Sequence, residues 1–485
     1  MIKELRRVSL GILVMFGLLF VSTTVIQVFQ TDNLRVDPRN VRTLYTSYSA
    51  ERGSIIVGNT AIAQSLPVDD VFKYQRTYEG GGLYSAVTGY YTINQGLAGL
   101  ELAMNDELSG QSNSQFFDQV LALVTGKSPC GASVKLTINA AVQQAARDAM
   151  GDMAGAAIAL NPKTGEIYAM VSTPSYDPNL LATHDSESAL TQFNDLINSS
   201  NSPLSNRVIA GTLYHPGSVF KLVVAAAALD SGTLTTSTEV PNPATLQLPQ
   251  STSVISNSTE GQCGSTNLTV TIVTALQYSC NIPFAEIGRL VGERTIRDYA
   301  EAFGFGATIE IPMAATPSIF PSGMDDAQVM VSSFGQFDVR VTPLQMAMVT
   351  SAIANGGVLM QPTVVDSVLA ADLRPLREFE STVYSTPISS ATARTLLDMM
   401  VLGVDSGVAS NAQIPGIAVA GKTGTAENGD GAPYTLWFTG FAPADNPEVV
   451  VAVVIENGGG KGQSGSGNAI AAPIARKIIE AVLAR

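Results

Sequence analysis

The chain has 485 residues, 45% of them hydrophobic and 14% charged, which is enough apolar matter for two or three domains with real cores and excludes global disorder. Its 27 Lys and Arg stand against 41 Asp and Glu, a formal net charge of -14, and no basic cluster follows the first residues. An electrostatic grip on nucleic acid is therefore excluded.

Val8 to Phe29 carry no charged side chain, and a run of that length spans a hydrocarbon core of about 30 Å as a helix. Lys3, Arg6 and Arg7 precede it. The positive-inside rule then predicts a cytoplasmic tail over 1–7, a transmembrane anchor over 8–30, and an extracytoplasmic remainder. A cleaved signal peptide is the competing reading, but its apolar region is about 7–15 residues long and ends in a small-x-small site. The absence of a convincing A-x-A favours an uncleaved anchor.

Residues 31–138 read as a small extended domain, with a β-like run at Ser54 to Val57, Gly-rich turns at Gly80, Gly81 and Gly82, and an amphipathic stretch from Gly99 to Leu108. From Ser133 the texture changes to a strand (SVKLTI), a helix over Ala140 to Met150, and two β-rich runs flanking Asn161-Pro162-Lys163-Thr164-Gly165, which is turn chemistry. Asp185 to about Asp325 reads mainly as helices, with a Ser/Thr/Asn-rich irregular excursion from Thr233 to Thr269. KTGTAE, LWFTGFAP and VVVAVVIEN are successive strands, followed by a Gly/Ser loop and a last helix from Ile470 to Leu483. Two strands, a helical middle, three strands and a closing helix predict an α/β (α+β) fold, with one mainly antiparallel sheet covered by helices and the helical insert against its edge.

Cys263 and Cys280 are close enough in sequence to pair, while Cys130 lies far away and makes the count odd. A 263–280 bridge in an oxidising compartment and three unpaired thiols both fit.

The chemistry centres on Tyr214-His215-Pro216-Gly217-Ser218-Val219-Phe220-Lys221. Pro and Gly open a helix and Gly232 closes it, placing Ser218 in the first turn, where orphan N–H groups and the positive dipole end stabilise a developing alkoxide. Lys221, three residues on, shares its face and can reach the hydroxyl. A lysine desolvated by neighbours such as Phe220 and Val224 has its pKa lowered toward that of a usable base. Of nine lysines, only Lys221 has a serine at the third position before it. A helix-capping serine and a solvated lysine remain the bland alternative unless further motifs match.

They do match. S-x-x-K, S-D-N and K-T-G form the signature set of class A β-lactamases and penicillin-binding proteins. K-T-G occurs at Lys163, in turn composition upstream of Ser218, and at Lys422, where Lys422-Thr423-Gly424-Thr425 opens a β-rich run suited to presenting a cation and hydroxyls to a carboxylate. S-x-N occurs at Ser265-Thr266-Asn267, in the polar excursion, and at Ser279-Cys280-Asn281, between two apolar-periodic stretches that would fix its side chains. The second copy of each is the one selected.

With these three motifs the chain resembles the class B penicillin-binding proteins. GAAIALNPKTGEIYAMVSTPSYDPN, SNRVIAGTLYHPGSVFK, FGFG, SSFGQFDVRVTPLQMAM, AIANGG and WFTGFAP look like stretches of their transpeptidase domain in the expected order. AERGSI and GLAGLELAMNDELSG look like pieces of their N-terminal pedestal, whose shortness is similar to the penicillin-binding protein A branch. The resemblance implies a pedestal (dimerisation-like) domain over 31–138 and a transpeptidase domain over 139–485. The latter would be a five-stranded, mainly antiparallel sheet covered by helices, with an all-helical subdomain.

It further implies a peptidoglycan D,D-transpeptidase of cell-wall growth or division, acting through a Ser218 acyl-enzyme and inhibited by β-lactams. Lys221 would take the serine proton, and Ser279, Asn281 and Lys422 would relay a proton and position the substrate. Thr423, Gly424 and Thr425 would hold the substrate, and the backbone N–H groups of Ser218 and Thr425 would form the oxyanion hole. The implied partners are stem peptides and a glycosyltransferase of the cell-wall machinery. No cofactor or metal is expected, because no His, Cys and carboxylate cluster has ligand spacing. His184 reads as a surface-loop residue and His215 as packing or rim, since H-P-G-S-V-F is not a G-x-S-x-G elbow. A class A β-lactamase would need a deacylating glutamate, and no E-x-x-L-N-like stretch lies between the second and third motifs. A D,D-carboxypeptidase and a penicillin sensor without turnover are the alternatives.

Overall fold

The computed structural model describes residues 2–30, 48, 50–112, 115, 130–258 and 261–485. Residues 31–47, expected to open the pedestal, lie outside them. The apolar run forms α1 (Ile2–Thr24), continued by a π-helical turn over Val25–Phe29. Arg6–Gln27 is a 22-residue stretch of mean hydropathy 2.2, long and apolar enough to cross a membrane, with its apolar window unburied by the rest of the protein.

β1 (Ile55–Val57), β2 (Thr60–Pro67) and β3 (Tyr74–Tyr78) form an antiparallel meander, and β4 (Ser133–Leu136) lies parallel to β1 on its other side. The stretch from Gly99 to Leu108 is two short helices, Gly99–Ala103 and Asn105–Leu108, broken at Met104. The first carries Glu101, which is fully buried between two arginines. Arg52 Nε lies 2.6 Å from Oε2 and Arg76 Nε 2.7 Å from Oε1, while Tyr78 OH donates to Oε1 at 3.1 Å. Burial alone would raise the Glu101 pKa, but Arg76 and Arg52 outweigh it and hold the carboxyl below its ordinary value.

Further along come α2 (Ala140–Met150), capped by the Asn139 side chain, then β5 (Gly155–Leu160) and β6 (Ile167–Thr173). The insert and its surroundings supply α3 (Lys221–Asp230), α4 (Asn281–Val291) and α5 (Pro343–Ala354). β7 (Val365–Leu369), β8 (Pro375–Glu378) and α6 (Ser390–Asp405) lead to β9 (Ala420–Ala426), β10 (Thr435–Ala442), β11 (Val449–Ile455) and α7 (Ala471–Leu483).

The central sheet runs β9-β10-β11-β5-β6 with every pair antiparallel. β11 is apolar at all seven positions because both of its faces are covered. Ile158, Val450, Ala452 and Val454 face the core built around α5, while Ala157, Ala159, Val451 and Val453 face α2 and α7. This is the period of two expected of a strand. Every residue of α5 is buried; Thr342 caps it and Pro343 takes its first position.

Two features differ from the sequence reading. The excursion carries two strand pairs, Glu239–Pro241 with Thr269–Thr271 and Thr245–Gln247 with Val254–Ser256, so the insert is not purely helical. And β7 and β8, from the expected transpeptidase domain, extend the sheet of β1–β4 in the order β8-β7-β4-β1-β2-β3. A continuous hydrogen-bonded sheet therefore crosses the expected boundary at residue 138.

Replacing Glu101 with Ala strands two buried guanidinium groups and should cost about 3–5 kcal/mol in thermal unfolding. Because the folded pKa of Glu101 is depressed, its stabilisation is present above the unfolded value of about 4.3 and is lost as pH falls through the folded one. Melting curves in acid should accordingly show a steeper loss of stability for wild type than for Glu101→Gln.

Candidate active site

Ser218 lies in a 3-10 turn, Gly217–Phe220, that runs directly into α3. The turn is gripped from several sides. Gly217 has φ +54°, and a Cβ there would meet Ala426 Cβ and the Thr425 carbonyl at 3.1 Å, so both backbone and space require glycine. Gly217 N donates to the Gly335 carbonyl at 2.9 Å, and Trp437 Nε1 donates to the His215 carbonyl at 2.9 Å.

Lys221 is fully buried, and its Nζ donates to the Ser279 carbonyl at 2.7 Å, Asn281 Oδ1 at 2.8 Å and Ser279 Oγ at 3.5 Å. Sequence spacing directs it to Ser218 instead. An ammonium sealed from water takes the strongest acceptors in reach, and these are a carbonyl and an amide oxygen of the second motif. The aromatic wall beside it is Phe284, 5.5 Å from Nζ, whereas Phe220 stacks on Phe320.

Lys422, buried on edge strand β9, donates to Ser279 Oγ at 2.7 Å and to the Thr423 carbonyl at 2.7 Å. Two lysines thus converge on one serine, which sits in the left-handed region at φ +59°. Among the described residues no carboxylate hydrogen-bonds either lysine. Burial pushes the Lys422 ammonium down to about 7; burial, followed by the charge of Lys422, pushes Lys221 well below its ordinary value. The two titrate as a pair. Thr423 and Thr425 fall on one face of β9 by strand alternation, their hydroxyls reaching the Val408 carbonyl at 3.4 Å and the Gly467 N–H at 3.3 Å. A Cβ at Gly424 would sit 3.0 Å from the Pro216 carbonyl, so glycine lets β9 lie against the nucleophile turn.

A family model described as the penicillin-binding protein transpeptidase domain matches residues 155–480, and one for the dimerisation domain of penicillin-binding protein A matches residues 52–134. The chain belongs to the penicillin-binding protein transpeptidase family. It is 40% identical to the peptidoglycan D,D-transpeptidase PbpA of Mycolicibacterium smegmatis and 39% identical to that of Mycobacterium tuberculosis, over 99% of each chain. Penicillin-binding protein A from M. tuberculosis as a ceftriaxone acyl-enzyme is similar at a TM-score of 0.87 and 37% identity, covering 90% of this chain and 100% of that one. Its penicillin G acyl-enzyme is similar at 0.84 with the same coverage.

In this penicillin-binding protein the duplicate motifs lie elsewhere. Lys163 projects from the β5–β6 turn to Asn446 Oδ1, and Ser265 Oγ merely accepts from Asn267 N within its own loop. His184 pairs with Asp70 at 2.5 Å, and His215 Nδ1 faces Arg340 at 2.6 Å. Cys263 and Cys280 are joined as a disulfide, which ties the second motif to the excursion.

Sequence reasoning did not single out the support behind the nucleophile turn. Tyr214 OH, at 2.6 Å, and Arg207 Nε, at 2.9 Å, both bond Glu456 Oε1. Tyr214 and Glu456 lie 242 residues apart, and no local pattern marks such a pair.

Removing the Lys422 charge with Lys422→Ala should raise the Lys221 pKa. The acid limb of the pH–acylation profile then moves to higher pH, while the rate falls by about 10²–10⁴-fold. Cys280→Ser opens a loop of sequence separation 17 and should cost about 3 kcal/mol in unfolding experiments.

Proposed function

We propose that this protein is an extracytoplasmic peptidoglycan D,D-transpeptidase of cell-wall synthesis. Ser218 Oγ attacks the penultimate D-Ala carbonyl of a stem peptide, and the bond to the terminal D-Ala breaks. The acyl-enzyme persists until an amine of a neighbouring stem attacks it. Lys221, neutral when desolvated, accepts the serine proton, and Ser279 with Lys422 returns a proton to the leaving amine. Asn281 positions the substrate amide, and Thr423 and Thr425 receive the terminal carboxylate beside Gly424. The backbone N–H groups of Ser218 and Thr425 stabilise the oxyanion, each contributing about 3–4 kcal/mol. β-Lactams acylate the same serine, in keeping with the acyl-enzymes formed by the M. tuberculosis protein.

The observation that carries this reading is the convergence of Lys221 and Lys422 on Ser279 beside the Ser218 turn. Two buried lysines bonded to neutral acceptors among the described residues suit the passage of a proton from the serine nucleophile to the leaving amine. Arg6–Gln27 supports a single-pass anchor with residues 1–7 in the cytoplasm. In this reading 31–138 is a pedestal, 139–485 the transpeptidase domain, and a glycosyltransferase supplies the glycan strands.

Labelling with a fluorescent penicillin should succeed with wild type and fail with Ser218→Ala; equal labelling of both would sink the nucleophile. Incubating the wild type with a stem-peptide thioester and a D-amino acid should yield the aminolysis product, and exclusive hydrolysis would refute the transferase.

A further inference from the structure

α4 begins at Asn281, the last residue of the second motif, and its N-cap residue, Cys280, supplies no side-chain cap. The first N–H groups of a helix need acceptors. Here they are met from another part of the chain: Asn257 Oδ1 accepts from Asn281 N at 3.1 Å and from Ile282 N at 3.2 Å. Asn257 is 7% exposed, and its Nδ2 is turned to the Gly261 carbonyl at 3.2 Å and the Pro243 carbonyl at 3.4 Å, which fixes Oδ1 toward α4. The preceding carbonyl, Ser256, takes Asn281 Nδ2 at 3.2 Å. Asn281 Oδ1 is thereby presented to Lys221 Nζ at 2.8 Å.

We propose that Asn257, in the excursion, is a positioning residue for acylation: it caps α4 in trans and sets the Asn281 amide against Lys221. The hydrogen bonds of Asn257 go to Pro243, Gly261, Asn281 and Ile282, not to Ser218 or the lysines. It acts through Asn281, and the inference rests on the reading of Ser218 as nucleophile and Lys221 as base. A displacement of about 1 Å in such a constellation costs up to about a hundredfold in rate. The Asn281 oxygen also supports the charged form of Lys221, so releasing it lowers the lysine pKa. The other groups hydrogen-bonded around Lys221 are the Ser279 carbonyl and hydroxyl, and Lys422 adds the neighbouring charge.

The test uses the full chain in detergent and a fluorescent penicillin at several concentrations, which separates the saturating acylation rate from the half-saturating concentration. Asn257→Ala should lower the saturating rate by about tenfold to a hundredfold, with little change in the half-saturating concentration. Its pH profile should carry the acid limb to lower pH, a shift that loss of stability alone does not produce. Asn257→Ser keeps a hydroxyl acceptor and should fall between the two; where the alanine variant does not fold, the serine variant decides, and a wild-type rate overturns the proposal. So does an alanine variant acylated at the wild-type saturating rate, or one whose only defect is a smaller fraction of reactive protein. Ser218→Ala keeps the two ideas apart: if it still labels, the nucleophile reading fails; if it is silent while Asn257→Ala reacts normally, only the positioning role fails.

Discussion

Two buried lysine side chains that no carboxylate hydrogen-bonds among the described residues are the constraint on which the rest of this structure depends. Removing an ion from water costs several kcal/mol even after relaxation, and Lys221 and Lys422 are both sealed. Their compensation is neutral: two carbonyls, one amide oxygen and one hydroxyl. Those acceptors come from the insert and from β9, while the lysines come from α3 and β9. The site therefore exists only if a helix, an edge strand and a loop of the insert hold position together. The glycines at 217 and 424 and the buried α5 all serve this, since each permits or enforces close approach of those elements.

The cluster around Glu101 shows the opposite solution. Arg52, Glu101 and Arg76 are as buried as the two lysines, yet the carboxylate sits between its partners and is held ionised. Charges that are paired fix a fold without being poised to exchange protons. Unpaired lysines are pushed toward neutrality, which makes them usable as bases near neutral pH. Burial is shared by the two clusters, so the presence or absence of the counter-charge decides which is structural and which is chemical.

Much of this was legible from local pattern. Ala140–Met150 was bounded by its Ala spacing, β5 and β11 by unbroken apolar runs, β10 by its aromatic-rich run, and the motif copies at Ser279 and Lys422 by the regular elements around them. What the sequence hid is non-local. Neither β7 nor β8 stands out as a strand in the sequence, because VDSVL is one only by pairing with β4, more than 200 residues earlier, and PLRE only by pairing with β7 in turn. The ordered ribbons of the excursion were hidden too, since Ser, Thr and Asn look the same in a solvated loop and in one whose side chains bond backbone, as Asn242 does to the carbonyls of Cys263, Ser265 and Asn267. The partners of Lys221 were hidden because i, i+3 spacing tells which face a side chain shares, not which acceptor it prefers.

The left-handed backbone of Ser279 follows from the same constraint. A non-glycine residue there stores about 1–3 kcal/mol and persists only where its surroundings over-determine it. Both sides of Ser279 are tied. Its N–H bonds the Leu276 carbonyl, its own carbonyl and hydroxyl take Lys221 and Lys422, and Cys280 is held by the Ala275 carbonyl and by the bridge to Cys263. Relaxing φ would swing the carbonyl away from Lys221 and leave a buried N–H donor without that acceptor, a cost that opposes relief of the strain. The local rule is broken at the one residue where two helices, a strand and a disulfide-tied loop converge, and the lysines keep it broken.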